Sequence, residues 1–330
     1  MLKITAETAI LLELCTAFLW GSWFQFLKKI GNYPMPAFMI WLYVFSNMIV
    51  WGVMCGWRDI FVPEGIAASL ASRPGLAAFC MAGGALFGAG MQVSTTVMVR
   101  LGLVLSVSVT ATLSIFTGTI IPMAVHGLPE GVTVPVLLLI SLVFLSGTLL
   151  IQFGGVIYRR DNEDNVDLSI PKIDGRTYLL FLLNTVLGLG YTFAVTYGMR
   201  SVTNPDGLPP MLCCGMICLG ALTGTLAVSG FRLLRAGELS ILRHTPPRIL
   251  MYCFLSACGH FGGNVTHMIA APLLSLAIAW PITTTSGIWT YFWGFAYGEF
   301  RHSSMQVKLL IIAGVFLYLT GLVSLYLQIT

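Results

Sequence analysis

Three polar residues, His260, Asn264 and His267, stand at i, i+4 and i+7 in an otherwise apolar stretch, a spacing that puts them on one face of a helix. Such a face turns toward protein or a cavity, because polar side chains in hydrocarbon need partners. The two imidazoles lie about 10 Å apart along a helix axis. That is too far to share a metal ion, and no metal site is expected. Three roles stay open to them: hydrogen bonding to a solute, relay of a proton by a group that titrates near neutrality, or bonding between helices. Glu13 is the only one of the 13 acidic residues well inside an apolar span. A carboxyl at that depth is costly when charged and unpaired, and it usually marks a proton, ion or cation site; the alternative is a side chain that reaches the near interface. Glu13 and His260 are therefore the candidates for proton coupling.

The groups suited to binding a solute are of three kinds. Asn264, His267 and Gln92 offer amide or imidazole hydrogen bonds, and Gln92 is followed by Thr95 and Thr96 at a comparable depth. Thr283, Thr284, Thr285 and Ser286 follow Pro281, which removes a helical donor and frees a carbonyl; their hydroxyls bond either a solute or their own helix. Trp20 and Trp280 sit near mid-span, where an interfacial belt does not account for them, and each indole offers a flat apolar face plus one donor. The expected binding set is Trp20, Gln92, Asn264, His267, Trp280, Thr283 and Thr284. No Lys or Arg lies deep in any span, which counts against phosphates, nucleotide sugars and organic anions. A neutral, hydrogen-bonding solute fits best.

The elements that must carry these residues are membrane helices. Of 330 residues, 57% are hydrophobic and 9% charged, against about 25% charged in an ordinary soluble domain. Ten spans can be drawn: 8–27, 36–57, 75–98, 103–125, 133–157, 177–199, 209–231, 249–271, 273–296 and 306–328. An Ala-Pro turn at Ala271 and Pro272 separates the eighth from the ninth. The N-terminal apolar segment has no convincing cleavage site and reads as the first span. The eight cysteines fall in or beside apolar spans, with no metal or disulfide spacing, and are expected as free thiols. The net charge of +4 reflects loop bias and not affinity for nucleic acid. Only Lys3, Arg58, Arg73 and Arg200, of 17 basic residues, fall on the side of the termini. Both termini should thus face outward from the cytoplasm, in a cell membrane.

The halves resemble each other. Residues 87–118 can be laid on 261–292, and LWGSWFQF (19–26) on LGLGYTFA (187–194), at similar offsets. Five spans per copy make the second copy insert upside down, the inverted-repeat plan of secondary transporters. The expected fold is all-α and integral to the membrane: ten transmembrane helices as two inverted five-helix repeats, 1–165 and 166–330. Gly84 and Gly88 form a GxxxG pair suited to close helix packing. No Walker A sequence, nucleophile elbow or HExxH occurs. No enzyme and no cofactor is expected, and transport would be gradient-driven or facilitative.

The ten-span, two-repeat pattern resembles the drug/metabolite transporter superfamily. WGSWFQFLKKIGNYP (20–34) and LLSLAIAWPITTTSGIWTYFWGFAYGEFRHSS (273–304) are similar to its sugar and ureide branch, which includes rhamnose/proton symporters, glucose/ribose porters and plant ureide permeases. The resemblance implies an outward N-terminus and places Glu13 about where the rhamnose symporters carry a His, which favours coupling there. It does not fix the substrate, since members of the branch carry chemically different neutral solutes; the leading expectation, from the residues and the resemblance together, is import of a small neutral polar solute, a monosaccharide first, by proton symport, in a monomer or homodimer. The other readings are a ureide or nucleobase permease, a drug or metabolite exporter, and a membrane sensor that binds without transporting.

Overall fold

The computed structural model describes residues 4–101, 117–128, 131–161, 175–297 and 303–329. Among these, the chain is a succession of helices with one isolated bridge, Met199 to Leu208, and no strand. The first helix, α1 (Ala6–Ser22), is capped by the Thr5 hydroxyl and tightens into a 3-10 segment, Trp23–Lys29. Then come α2 (Met35–Gly56), α3 (Pro74–Leu101), α4 (117–126), α5 (Val134–Asp161) and α6 (Gly175–Gly198). Next, α7 (Pro210–Thr225) passes through a π-helical turn, Leu226–Gly230, into Phe231–Ala236. The remainder is α8 (Pro247–Leu274), α9 (Leu276–Thr283), α10 (Ser286–Ala296) and α11 (Met305–Ile329).

Seven helices among the described residues are long and apolar enough to cross a membrane. Helix α8 is 28 residues long but is not one of them, because its glycines, histidines and asparagine lower its hydropathy. Most of the expected fourth span, 103–125, lies outside the described residues. The surface is what a lipid-facing protein requires: Leu139, Phe153, Ile312 and Phe316 are each more than 60% exposed, while Glu13, Gln92, Asn264 and His267 are at most 2% exposed. A water-soluble monomer rarely shows that inversion. This is an all-α, multi-pass membrane protein.

Two expected boundaries are corrected. The chain does not turn at Ala271 and Pro272; α8 continues through Pro272 to Leu274, and the break falls at Ser275, at φ +68. Pro272 therefore sits inside the last turn of the helix, whose end is tied to the α6–α7 link: the Pro272 carbonyl accepts from Val202 N–H at 2.9 Å. The expected ninth span, 273–296, is likewise two helices, interrupted at Thr284 and Thr285.

Close packing follows the glycines. Helix α3 lies along both α6 and α7, α1 along α8, α9 and α10, α8 also along α2, α2 along α7, and α5 along α11. At the α3–α7 contact the four-residue spacing is doubled. A Cβ on Gly84 or Gly88 would meet the carbonyls of Ile217 or Ala221, and one on Gly220 or Gly224 those of Met81 or Ala85, all within 2.3 Å. The GxxxG reading of Gly84 and Gly88 thus has a matching pair on the facing helix. Outside the spans, the α2–α3 and α6–α7 links are clasped. Arg200 bonds Glu64 at 2.9 Å, and both Arg73 and Arg200 donate to the Gly207 carbonyl. At the other end, the Tyr33 hydroxyl and the Trp41 indole meet the Thr245 hydroxyl at 2.7 and 3.0 Å.

Candidate functional site

Helices α1, α3, α6, α8, α9 and α10 surround a cavity of about 270 Å³. Its walls are aromatic at Trp20, Trp23, Phe24, Phe87, Tyr191 and Trp280, and polar at Ser94, Asn184, Thr185, Thr192, His260, Asn264, Thr283, Thr284, Ser286 and Thr290. None of the lining residues is an acid, Lys or Arg. The lining positions of α1 come from its C-terminal end and the following 3-10 segment, and those of α3 from its middle onward. The cavity therefore occupies the middle of the bundle and the half away from the N-terminus.

Local sequence explains the shape. Gly263 gives the Trp20 indole room, since a Cβ there would lie 2.6 Å from its ring, and Gly118 does the same for Trp280. Trp20 donates from Nε1 to the His260 carbonyl at 3.1 Å, and its ring stands 6.3 Å from that of Trp280. The Trp20 indole is thereby fixed on backbone.

Hydrogen-bond partners sort the polar lining into occupied and free groups. Asn264 is largely committed: the Tyr191 hydroxyl donates to its Oδ1 at 2.5 Å, and its Nδ2 donates to the His260 carbonyl at 2.9 Å. Thr283 and Thr284 bond back to the carbonyls of Trp280 and Pro281, and Thr285 to that of Ile282. By contrast, His260 sits among the rings of Trp23, Tyr43, Phe87 and Phe261 with Nδ1 buried and unpartnered. Ser94, Asn184 and Thr192 line the same space, and among the described residues none of them has a side-chain hydrogen bond. The groups free to meet a solute are thus His260, Asn184, Ser94 and Thr192, with spare capacity on Asn264 and the threonines.

Of the residues expected to bind solute, Trp20, Asn264, Trp280, Thr283 and Thr284 line the cavity, and Gln92 and His267 do not. Gln92 faces α7, where its Oε1 accepts from Ser229 at 2.6 Å and its Nε2 reaches Thr225 at 3.5 Å. A helix face fixed by sequence periodicity does not say which neighbour it will meet. Of the two proton candidates, His260 lines the cavity and Glu13 does not.

Glu13 does not reach an interface. Its carboxylate is fully buried and within 2.9 and 3.1 Å of Nδ1 of His267, itself fully buried. The Nε2 of His267 has no partner. The rings of Trp20 and Trp280 pack on this imidazole at 5.5 and 5.9 Å, between it and the cavity they line. One turn further along α1 towards Trp20, Thr16 shares a hydrogen bond at 2.7 Å with Thr266, the neighbour of His267, so successive turns of α1 make polar contacts with α8. Tyr191 and Asn184 escaped the sequence reading. A signal existed for both: Asn184 is a lone amide in an apolar span, and Tyr191 falls under Trp23 in the alignment of 19–26 with 187–194. Among the described residues no cluster of His, Cys, Asp or Glu could hold a metal ion, and all the cysteines are free.

Neither known protein families nor curated protein sequences contain a match to this chain.

Proposed function

We propose that this protein is a secondary transporter that imports a small neutral polar solute, a monosaccharide in the first instance, by proton symport and alternating access between two inverted five-helix repeats. The observation that carries the reading is the cavity. It is large enough for a small solute, free of fixed charge in its described lining, and walled by aromatic faces and free hydrogen-bonding groups. That is the chemistry of a site for an uncharged polar ligand. A bare ion would find no charged ligand among the lining residues, and a lipophilic cation no carboxylate.

Two further features support the repeat plan. Positions matched between the halves by sequence face the same cavity: Trp20 with Gly188, Trp23 with Tyr191, Phe24 with Thr192, and Gly90 with Asn264. The helix contacts also exchange under a five-span shift. α1 on α8 corresponds to α6 on α3, and α2 on α8 to α7 on α3, whereas α2 on α7 and α5 on α11 map onto themselves.

The test is uptake of labelled D-glucose or L-rhamnose into proteoliposomes under an imposed pH gradient. Saturable uptake that rises with an inward proton gradient is expected; no gradient-dependent uptake of either sugar overturns the reading. A ureide or nucleobase solute is favoured by one observation, the free amide of Asn184 and imidazole of His260 beside stacked rings. Competition by allantoin or uracil, without competition by sugars, would select it.

A further inference from the structure

We propose that Glu13 and His267 form a single proton-loading site, distinct from the solute cavity and on its N-terminal side, with the indoles of Trp20 and Trp280 as the closed partition between them. The inference rests on the transport reading above and deepens it. It moves His267 from solute binding to proton binding, and it leaves His260 to the solute.

The geometry sets the site apart. Glu13 lies seven residues before Trp20 on α1, about 10 Å along that helix, and His267 lies one turn, about 5 Å, beyond the lining residue Asn264 on α8, so the pair stands next to the cavity on its N-terminal side. Neither side chain is exposed, and neither lines the cavity. The carboxylate and Nδ1 satisfy each other at 2.9 Å, while Nε2 of the same ring has no partner. A buried polar atom without a partner is costly. With the hydrogen of the neutral ring on Nδ1, this nitrogen carries only a lone pair and can take one proton.

The proton balance follows. Unloaded, the pair is a carboxylate accepting Nδ1–H from a neutral imidazole, with a net charge of −1. One proton from water on the near side brings it to zero, on Nε2 as an imidazolium–carboxylate pair or on the carboxyl. A net charge in a dry interior is penalised far more than a neutral pair, so closure over the site favours the loaded form. Reopening lets water reach Nε2 and release the proton. Other ionisable groups are sparse around it. From α6 comes Tyr191, whose hydroxyl is bound to Asn264, and from α2 Tyr43, which packs on His260. Helix α9 carries no ionisable side chain, and His260 is two turns away on α8 itself.

The experiment is an unbuffered acid–base titration of the purified protein in detergent, with Glu13→Gln, His267→Gln and His260→Gln alongside. Glu13→Gln should bind one proton fewer per chain across the neutral range. His267→Gln should displace the midpoint of that proton by at least one pH unit, tenfold in proton concentration, and His260→Gln should leave it in place. Glu13→Asp, which keeps the carboxyl, serves if Glu13→Gln fails to elute as a folded species. Superposition of either the Glu13 or the His267 variant on the native curve overturns the proposal. For the partition, Trp20→Ala should speed proton uptake after a pH jump, and an unchanged rate refutes that part. The transport reading fails separately: absence of flux of every probe leaves the titration untouched, whereas pH-driven sugar accumulation by Glu13→Gln sinks the proton site and leaves transport standing.

Discussion

The Tyr191–Asn264 contact shows how one hydrogen bond can settle the role of two residues. Asn264 accepts from Tyr191 and donates to the His260 carbonyl, so its amide plane is fixed across the cavity wall before any solute arrives. Tyr191→Phe removes the donor and leaves a buried oxygen unsatisfied, a loss of about 1–3 kcal/mol. Thermal unfolding in detergent should show the drop, and Asn264→Ala combined with it should cost less than the sum of the two singles, as expected for residues in direct contact. The sequence placed His260, Asn264 and His267 on one face of one helix, and all three are buried there. It could not show what they meet. His267 pairs with a carboxylate 254 positions away and Asn264 with a hydroxyl 73 positions away, and periodicity carries no information about contacts at that range.

Among the helices, the glycines set the distance of approach. A methyl group at Gly84 would lie 2.1 Å from the Ile217 carbonyl, whereas at Gly52 it would meet nothing within 4 Å. Gly84→Ala should therefore cost about 3 kcal/mol, at the upper end for overpacking, and broaden the elution profile. Gly52→Ala should be neutral or stabilise by about 0.5–1 kcal/mol, through helix propensity alone. The GxxxG spacing made Gly84 and Gly88 legible in the sequence; the identical spacing at Gly220 and Gly224 became meaningful only when α7 was seen to lie against α3. The clasp outside the spans gives a pH signature. Its hydrogen bond from Arg200, followed by the charge of the same guanidinium, holds the Glu64 carboxyl below its ordinary range. A depressed carboxyl stabilises the fold above its unfolded pKa, and the contribution is lost as pH falls through the folded value. Glu64→Gln should thus be slightly less stable than the native protein at neutral pH, by under about 1 kcal/mol for a half-exposed pair. The gap should close as pH drops below about 4.5, the ordinary value, in parallel melting curves.

At the scale of the molecule, the cavity and the clasped links lie toward opposite ends of the bundle. Among the described residues, the Arg200–Glu64 link lies at the N-terminal end, and the lining of the cavity extends from Trp20 and Trp280 the other way. A cysteine at Ser94, in a background lacking the exposed Cys15 and Cys55, should react with a membrane-impermeant maleimide from the side opposite the termini. Labelling from the side of the termini alone would reverse that orientation. A reporter fused after Thr330 should report the non-cytoplasmic side, the outcome expected from the distribution of basic residues.

Composition and hydropathy by themselves determined that this chain is a bundle of membrane helices. The need to satisfy every backbone group in lipid leaves almost no other solution. They also singled out the polar residues worth examining, since each one buried in hydrocarbon has a cost that function or packing must offset. Partnership was decided only by the tertiary structure: that Gln92 turns to α7 and not to the cavity, that His267 belongs with Glu13, that Asn184 and Tyr191 join the wall, and that the chain breaks at Ser275 and not at Pro272. Each of these depends on which helices lie side by side, and that is set by the closest approach of glycine-lined surfaces far apart in the chain.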